Sequence, residues 1–272
     1  MKNQPRTHLS TRRHFLKLAA PLLLGMAAPV YAVDIFKLID PEGKNKDLQK
    51  ARQAVEGLGS LAQSAAGIDY ETEFAIGESL ALEGFQRYGL PVASRPVQKY
   101  VNIIGAAAAK NAIRPDINYY FTVVDSPLYN AFACPGGIIF LSSQLAASMG
   151  DEAELACVLA HEVAHVSHKH ALSSIRRAKF FEGVGKIGTI SMDGEEGAKY
   201  RSMIGDLQGV LFDKGLDKNM EFEADASAME FAYRTGYDPA GMIRVLEMLK
   251  TNQQHATKHG SWFSTHPPLD AR

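Results

Sequence analysis

Hydrophobic residues recur at two different periods along this chain, and the change of period separates helical from extended segments. Tyr70–Tyr88 (YETEFAIGESLALEGFQRY) and Val97–Lys110 repeat apolar residues at the spacing of an α-helix. Asn118–Val124 (NYYFTVV) is instead rich in aromatic and β-branched residues, which predicts a strand. A second strand is predicted over Ala131–Leu141 (AFACPGGIIFL), interrupted by Pro135–Gly137. Because proline cannot donate to a central sheet ladder, we expect this strand at a sheet edge, with an unpaired backbone.

The helical period returns after the second strand. Asp151 can cap a helix that continues through the histidine-rich stretch LAHEVAHVSHKH, and Glu154 follows three residues later, as in a capping box. Asn219–Thr235 and Gly241–Lys250 predict two further helices, the first ended by Gly236. The four histidines of the stretch are therefore expected on a helix or at its end.

One long segment, Arg177–Leu216, differs from these helices because it contains eight glycines. That composition predicts broken helices or a mobile cover over a site. The sequence shows no internal repeat and no clean domain boundary. The whole pattern predicts a predominantly helical α+β fold with a small sheet, in a single domain over Val33–Arg272.

The first 32 residues carry a pattern typical of a secretory signal peptide. Arg12 and Arg13 precede an uncharged apolar run, Leu18–Val30, and small residues lead to a cleavage point after Ala32. The run is shorter than the ~20 apolar residues of a membrane span, and its two prolines disfavour the alternative of a buried N-terminal helix. The stretch STRRHFLK also resembles the bacterial twin-arginine signal, so we expect export as a folded protein to the periplasm or beyond.

Charge and cysteine content add little about partners. Lys and Arg number 29 against 30 Asp and Glu, and the net charge of -1 gives no support for a nucleic-acid partner. No second apolar run predicts a transmembrane segment in the mature form. The two cysteines, Cys134 and Cys157, allow one disulfide in an oxidising compartment, or they are two small buried hydrophobes.

The stretch HEVAH, from His161 to His165, matches the HExxH motif. Residues four apart lie on one face of a helix, about 6 Å apart along its axis, so both imidazoles can reach one ion. Glu162 projects beside them, where it can accept a proton from the attacking water. The alternative is an ordinary histidine-rich helical face, but the motif favours zinc.

The remaining histidines of the stretch, His168 and His170, are expected to be solvated or at most to support the ligands. Sharing one ion among positions 161, 165 and 168 would stretch over about 10 Å of helix, which Zn–N bonds of about 2.0–2.1 Å cannot span. Ala171 stands where a metzincin has its third histidine. A third ligand must therefore come from another part of the chain.

The best candidate is the segment EFEAD, from Glu221 to Asp225. These two carboxylates are four residues apart and share a helical face, whereas Glu223 points elsewhere. Two histidines and a glutamate are a standard catalytic zinc set, and Asp225 can fix the tautomer of a ligand histidine. A surface run of carboxylates is the alternative, which the accompanying HExxH motif disfavours.

Together these motifs resemble the gluzincin metallopeptidases that include HtpX, BepA and the CAAX prenyl endopeptidases. The stretch NAFACPGG, which begins at Asn130, is similar to the NAFAxPGG strand of the BepA-like branch, and THPP from Thr265 fits its later motif. The resemblance covers the chain from about Tyr70 onward. Cys134 departs from the usual apolar residue, and Lys218 stands where an arginine is common.

The resemblance implies a zincin fold whose edge strand flanks the HExxH helix, and a zinc endopeptidase with one Zn²⁺ per chain. By position, His161, His165 and Glu221 are the zinc ligands and Glu162 is the catalytic base. The implied partners are proteins or peptides, unfolded or misassembled, often in the cell envelope. The substrate backbone would bind in extended form at Asn130, Ala131, Phe132 and Ala133.

Two later residues acquire roles from the same resemblance. Arg272 matches an arginine near the active site and could stabilise an oxyanion. His266 matches a histidine that can occupy the open zinc position and hold the enzyme latent; alternatively it is a loop histidine held by two prolines. Latency keeps a second function open, a chaperone-like protein that binds clients while its zinc site stays inactive.

A disulfide is also suggested, because the substrate strand and the metal helix adjoin in such folds. Cys134 belongs to that strand, and Cys157 lies one helical turn before His161. We therefore state a Cys134–Cys157 bridge as a hypothesis.

Overall fold

The computed structural model describes residues 68–174, 194–252, 261–266 and 272, which all lie within one compact unit, Asp34–Arg272. The predicted signal peptide lies outside the described residues, as does the 177–193 part of the predicted glycine-rich cover. None of the helices in the described ranges is long and apolar enough to cross a membrane.

Helices dominate the described residues and surround a small sheet, so the predicted α+β class is confirmed. The helices are α1 Tyr70–Tyr88, α2 Arg95–Ala109, α3 Ser143–Ser148, α4 Glu152–Ser167, α5 His170–Ser174, α6 Gly194–Gln208, α7 Lys218–Thr235, α8 Gly241–Asn252 and α9 Trp262–Thr265. A π-helical turn, Gly209–Lys214, follows α6, and the strands are β1 Tyr120–Val124, β2 Ala131–Cys134 and β3 Ile138–Ser142.

The strand predicted over Ala131–Leu141 is in fact two strands. Gly136 and Gly137 both have positive φ, at 79° and 108°, and with Pro135 they form a tight turn that reverses the chain. β3 lies in the middle of the sheet, parallel to β1 and antiparallel to β2. The predicted edge position of β2 is therefore confirmed, and the turn glycines explain why the apolar run does not continue as one strand.

Both faces of the sheet are covered, which explains why all four residues of β2 are buried. Successive side chains of a strand point to opposite faces. Ala131 and Ala133 belong to the hydrophobic cluster around α4, whereas Phe132 and Cys134 belong to a second cluster with α1. The substrate strand anticipated from the sequence thus lies between the two halves of the core.

The disulfide hypothesis is wrong, and the sheet gives the reason. Cys134 and Cys157 are both free and buried. Cys157 is in the α4 cluster, with its sulfur 3.8 Å from the carbonyl oxygen of Asp238, whereas Cys134 lies in the cluster on the other side of β2. The two thiols are thus small buried hydrophobes, and burial raises the pKa of each.

Helix α4 is the central element of the fold. Its N-terminus is capped as predicted, because the backbone N–H of Glu154 donates to Asp151 at 2.8 Å. Helices α2, α7 and α8 pack around it, and β2 contacts it as well. The helix is apolar almost all round, so its polar residues, His161 and Glu162 among them, are forced into the interior.

Candidate metal centre

Two packed helices bring the predicted metal ligands together. His161 and His165 lie one turn apart on α4, and their Nε2 atoms are 2.9 Å apart. Glu221 comes from the first turn of α7, with carboxylate oxygens 3.6 Å from each of these Nε2 atoms. All three side chains are nearly or fully buried. The structure therefore brings together residues that lie in two separate sequence motifs.

The donor atoms of this cluster fit a zinc ion. One ligand atom each from His161, His165, Glu221 and His266 lies within 4.8 Å of the others. Imidazole nitrogen and carboxylate oxygen are donors that zinc accepts, and two tetrahedral Zn–N bonds would place the nitrogens about 3.3 Å apart. Asp225 Oδ1 lies 3.0 Å from Nδ1 of His161, which favours a proton there and leaves the Nε2 lone pair facing the cluster.

The protonation states suit metal binding as well. Burial lowers the pKa of His161 to about 4, and burial together with the neighbouring histidines lowers the pKa of His165. Burial alone would raise the pKa of Glu221, but the positive charges of His266 and Arg272 outweigh it and lower that pKa. Neutral imidazoles and an ionised carboxylate are the forms that ligate a metal.

Glu162 is different from every other carboxylate in the site. It is fully buried, and neither of its oxygens has a hydrogen-bond partner among the described residues. Burial raises its pKa to about 7. Glu162 lines a mostly apolar pocket together with Phe132 and Ala133 of β2, Leu211 of the π-helical turn, and Leu216. Its Oε1 lies 3.7 Å from Nε2 of His266, which is beyond hydrogen-bond distance, so the burial of this carboxylate is costly.

Arg272 lies behind the ligands rather than at the pocket. Its side chain is buried and donates from Nε to Asp225 Oδ2 and from Nη1 to Glu221 Oε2, both at 2.7 Å. Nη1 also donates to the backbone carbonyl of His266 at 3.2 Å, and Nη2 contacts Asp225. The arginine lowers the pKa of Asp225 and holds both carboxylates of the EFEAD segment in place.

His266 completes the cluster on the side that faces β2. Its Nδ1 lies 3.2 Å from both carboxylate oxygens of Glu221 and 3.5 Å from Nε2 of His161. Its Nε2 lies 3.2 Å from the carbonyl oxygen of Ala131, and the ring stacks on Trp262 at 4.1 Å. Although burial lowers the pKa of His266, the Glu221 and Glu162 carboxylates raise it overall.

The segment that carries His266 also covers the strand predicted to bind substrate. The backbone N–H of Trp262 donates to the carbonyl oxygen of Tyr129 at 2.7 Å, and Thr265 Oγ1 donates to Asn130 Oδ1 at 3.4 Å. Of the predicted substrate residues, Asn130 and Ala131 are contacted by this segment and Ala133 lines the pocket, while Phe132 stacks on Phe140 in the core. Asn130 and Ala131 are thus the residues covered here.

Sequence reasoning missed a second polar group beside the metal cluster. Of the two expectations for His168 and His170, solvation is wrong, because His170 is 2% exposed and both rings lie beside Glu223. Glu223 points away from the metal cluster, as expected. His170 also contacts His165 directly. The only sequence signal for this group was the run of four histidines itself.

The structure combines a helical fold around a small sheet with a buried His–His–Glu donor set, and beside it lies a glutamate without a hydrogen bond among the described residues. These features define a metallopeptidase. The sequence agrees, because residues 96–272 match the model of Peptidase family M48. The chain belongs to that family.

Several characterised proteins are similar to this chain. The beta-barrel assembly-enhancing protease of Yersinia pestis is 28% identical over 247 residues, which cover 86% of this chain and 49% of that protein. The corresponding protein of Escherichia coli is 26% identical over 264 residues, 94% of this chain and 49% of its own length. The bovine mitochondrial metalloendopeptidase OMA1 is 29% identical over 163 residues, 56% of this chain and 30% of its own length. The chain spans about half the length of the bacterial relatives.

Proposed function

We propose that this protein is a zinc-dependent endopeptidase in which His161, His165 and Glu221 bind one Zn²⁺ per chain and Glu162 is the general base. The observation that carries the proposal is the Glu162 carboxylate, buried without a hydrogen-bond partner among the described residues and adjacent to the donor set. A purely structural metal site has no use for such a group, whereas hydrolysis requires a proton acceptor beside the metal.

Each site residue has a distinct task in this mechanism. When bound, zinc would polarise the scissile carbonyl and lower the pKa of the attacking water. Glu162 accepts the proton of that water and passes it to the leaving amine. Asp225 orients the ring of His161, which it approaches to 3.0 Å. Arg272 orients Glu221 and Asp225, and its donation to an oxyanion stays a prediction.

The substrate of this reaction is an extended polypeptide. β2 lies at a sheet edge next to α4, so its backbone can pair with a substrate strand and present a peptide bond to Glu162. We assign backbone binding to Asn130, Ala131, Phe132 and Ala133. The apolar pocket beside Glu162 would receive a nonpolar side chain of the substrate.

We further propose an export route and a biological setting. The STRRHFLK stretch supports a twin-arginine signal peptide over residues 1–32, followed by a single peptidase domain over 33–272 in the periplasm. The similarity to proteases named for enhancing β-barrel assembly supports unfolded or misassembled envelope proteins as substrates.

The position of His266 supports a latent state. Its ring belongs to the donor cluster and its segment contacts residues 129–131, so both the metal and part of the substrate strand are covered at once. Catalysis then requires the segment to move away. The same observation supports the second candidate function, a chaperone-like protein that binds clients without cleaving them.

The general-base assignment is tested with Glu162→Gln. We expect zinc-loaded wild-type protein to cleave casein, and the variant to bind zinc equally but to lose essentially all cleavage. Glu152→Gln is the matched control, because Glu152 lies exposed on the same helix, and it should retain activity. Cleavage by Glu162→Gln at the wild-type rate would overturn the assignment.

Latency and the chaperone alternative are separated with His266→Ala. If His266 holds the enzyme latent, the variant cleaves casein faster than the wild type at equal zinc content. If neither protein cleaves casein while both suppress aggregation of an unfolded client, the client-binding function replaces the peptidase. Equal cleavage by both proteins would contradict latency alone.

A further inference from the structure

A hydrogen-bonded chain leads from the predicted zinc ligand His165 to a carboxylate outside the metal cluster. Nδ1 of His165 lies 2.8 Å from Nδ1 of His170, and Nε2 of His170 lies 2.9 Å from Glu223 Oε2. His165 and His170 are 4% and 2% exposed, so water does not readily replace these contacts. The ring of His170 therefore lies between the predicted ligand His165 and the carboxylate of Glu223.

The two facing Nδ1 atoms of this chain can share one proton, and the carboxylate decides where it lies. A carboxylate accepts hydrogen bonds and cannot donate them when ionised, so Glu223 places a proton on Nε2 of His170. Nδ1 of His170 is then an acceptor, and the proton between the rings belongs to Nδ1 of His165. Nε2 of His165 keeps its lone pair, aimed at His161 and Glu221.

We propose that His170, held by Glu223, is a positioning residue that fixes the tautomer and ring orientation of His165 for zinc binding. The inference rests on the proposed zinc site and extends it: Asp225 acts on His161 and the His170–Glu223 pair acts on His165. Each of the two ligand histidines thereby has its own partner at the ring nitrogen that does not bind the metal.

The backbone between the two helices shows how His170 reaches this place. α4 ends at Ser167, and Lys169 adopts φ 55°, a conformation that is strained for a residue other than glycine. Lys169 Nζ donates to the carbonyl oxygen of Ile68 at 3.1 Å and lies 3.3 Å from Glu73, and these contacts hold the strained turn. The turn brings the first residue of α5 back beneath His165.

A second metal ion is the competing explanation of this group. Donor atoms of His168, His170 and Glu223 also lie within 4.8 Å of one another. However, a metal on Nε2 of His170 would force a proton onto its Nδ1, and zinc on His165 does the same to the facing Nδ1. Two N–H donors would then point at each other across 2.8 Å, so both ions cannot bind in this geometry.

His168 lies beside the hydrogen-bonded chain from His165 to Glu223 and is not a member of it. Its Nε2 lies 2.9 Å from Ser227 Oγ, its Nδ1 lies 3.4 Å from Glu223 Oε1 and its ring stacks on that of His170 at 5.1 Å, but among the described residues it does not contact His161, His165 or Glu221. Loss of His168 should therefore leave His165 oriented, which makes it a matched control for His170.

The test compares two substitutions of His170 in the full chain. Asparagine places an oxygen acceptor near the Nδ1 position, whereas leucine fills the space without an acceptor. By chelator competition we expect His170→Leu to bind zinc about 10–100-fold more weakly than the wild type, and His170→Asn to recover most of that loss. His168→Ala should bind one zinc per chain with wild-type affinity.

A spectroscopic measurement on metal-free protein makes the test independent of zinc and of activity. Ring ¹⁵N shifts should show His165 protonated at Nδ1 in the wild type and in His170→Asn, and a tautomer mixture in His170→Leu. If the ring shifts follow this pattern while zinc binding or casein cleavage fails, the role of His170 in positioning His165 is supported and the proposed function is not. The inference would be overturned if His170→Leu bound zinc with wild-type affinity or if His170→Asn recovered none of the lost affinity. It would also be overturned if the wild type bound two zinc ions per chain and His168→Ala bound only one.

Discussion

Two fully buried glutamates show how differently one residue type is used in this protein. Glu162 has no hydrogen-bond partner among the described residues, whereas Glu73 has four contacts. Both of its oxygens accept from Arg114 at 2.9 Å, one accepts from the backbone N–H of Gly136 at 3.1 Å, and Lys169 Nζ lies 3.3 Å away. Glu73 thus joins α1, the turn before β3 and the end of α4, which marks it as structural.

Replacement of Glu73 by alanine should be strongly destabilising. It leaves Arg114, whose side chain is 18% exposed, and the N–H of Gly136 without their acceptor, so we expect a loss of about 3 kcal/mol in the free energy of unfolding. Urea denaturation measures it. Glu83→Ala is the control: Glu83 pairs with Arg87 at a more exposed site, and its loss should cost below about 1 kcal/mol. Equal effects of the two substitutions would contradict the structural role of Glu73.

At the residue scale, spacing alone was sufficient for part of the site. His161 and His165 were predicted as a pair because residues four apart on a helix share a face, whereas Glu221 was joined to them by the accompanying EFEAD motif and by the resemblance. The place of His266 came only from resemblance, since no local rule brings it to the cluster. For His170 the sequence left solvation and support of the ligands open, and it could not decide between them, because the contact depends on a positive φ at Lys169, which its sequence does not favour.

At the element scale, α1 was predicted with its observed bounds, and the close contact that it makes was not. A Cβ at Gly77 in this helix would lie 1.9 Å from the carbonyl oxygen of Pro135, so the helix backbone packs directly against the turn between β2 and β3. Periodicity predicts that a segment is helical, but it does not show which backbone the helix approaches. The split of the predicted second strand was missed for a different reason: Pro135–Gly137 was interpreted as an interruption within one strand, whereas Gly136 and Gly137 form a turn that reverses the chain.

Gly77→Ala tests this close approach against helix propensity. Alanine should favour an exposed helix position by about 1 kcal/mol, yet here the methyl group requires α1 or the turn to shift, so we expect net destabilisation. Gly205→Ala is the matched control, since Gly205 lies exposed in α6 with nothing within 4 Å of the added Cβ, and it should be neutral or stabilising. Thermal unfolding of both variants measures the difference. Stabilisation by Gly77→Ala would contradict the prediction, because it would mean that α1 or the turn accommodates the methyl group without loss of stability.

At the scale of the whole molecule, the site lies where separate parts of the chain meet. α4 and α7 provide the proposed ligands, β2 provides the proposed substrate edge, and the segment from Trp262 to His266 contacts both. The sequence supplied these parts and their approximate classes. Their relative placement depends on the two-sided burial of the sheet, with Ala131 and Phe132 facing different clusters, which no motif encodes.

Zinc should therefore stabilise the whole fold, because its ligands come from different elements that unfold together. A ligand present at 100 times its Kd adds about 2.7 kcal/mol to the free energy of unfolding, which for a domain of this size raises Tm by roughly 5–10 °C. We expect a chelator to lower Tm by that amount and zinc, but not magnesium, to restore it. Glu221→Gln should remove most of the zinc-dependent shift, whereas His168→Ala should retain it, since His168 does not contact the ligands. The same Tm with zinc and with chelator would contradict a site that bridges α4 and α7.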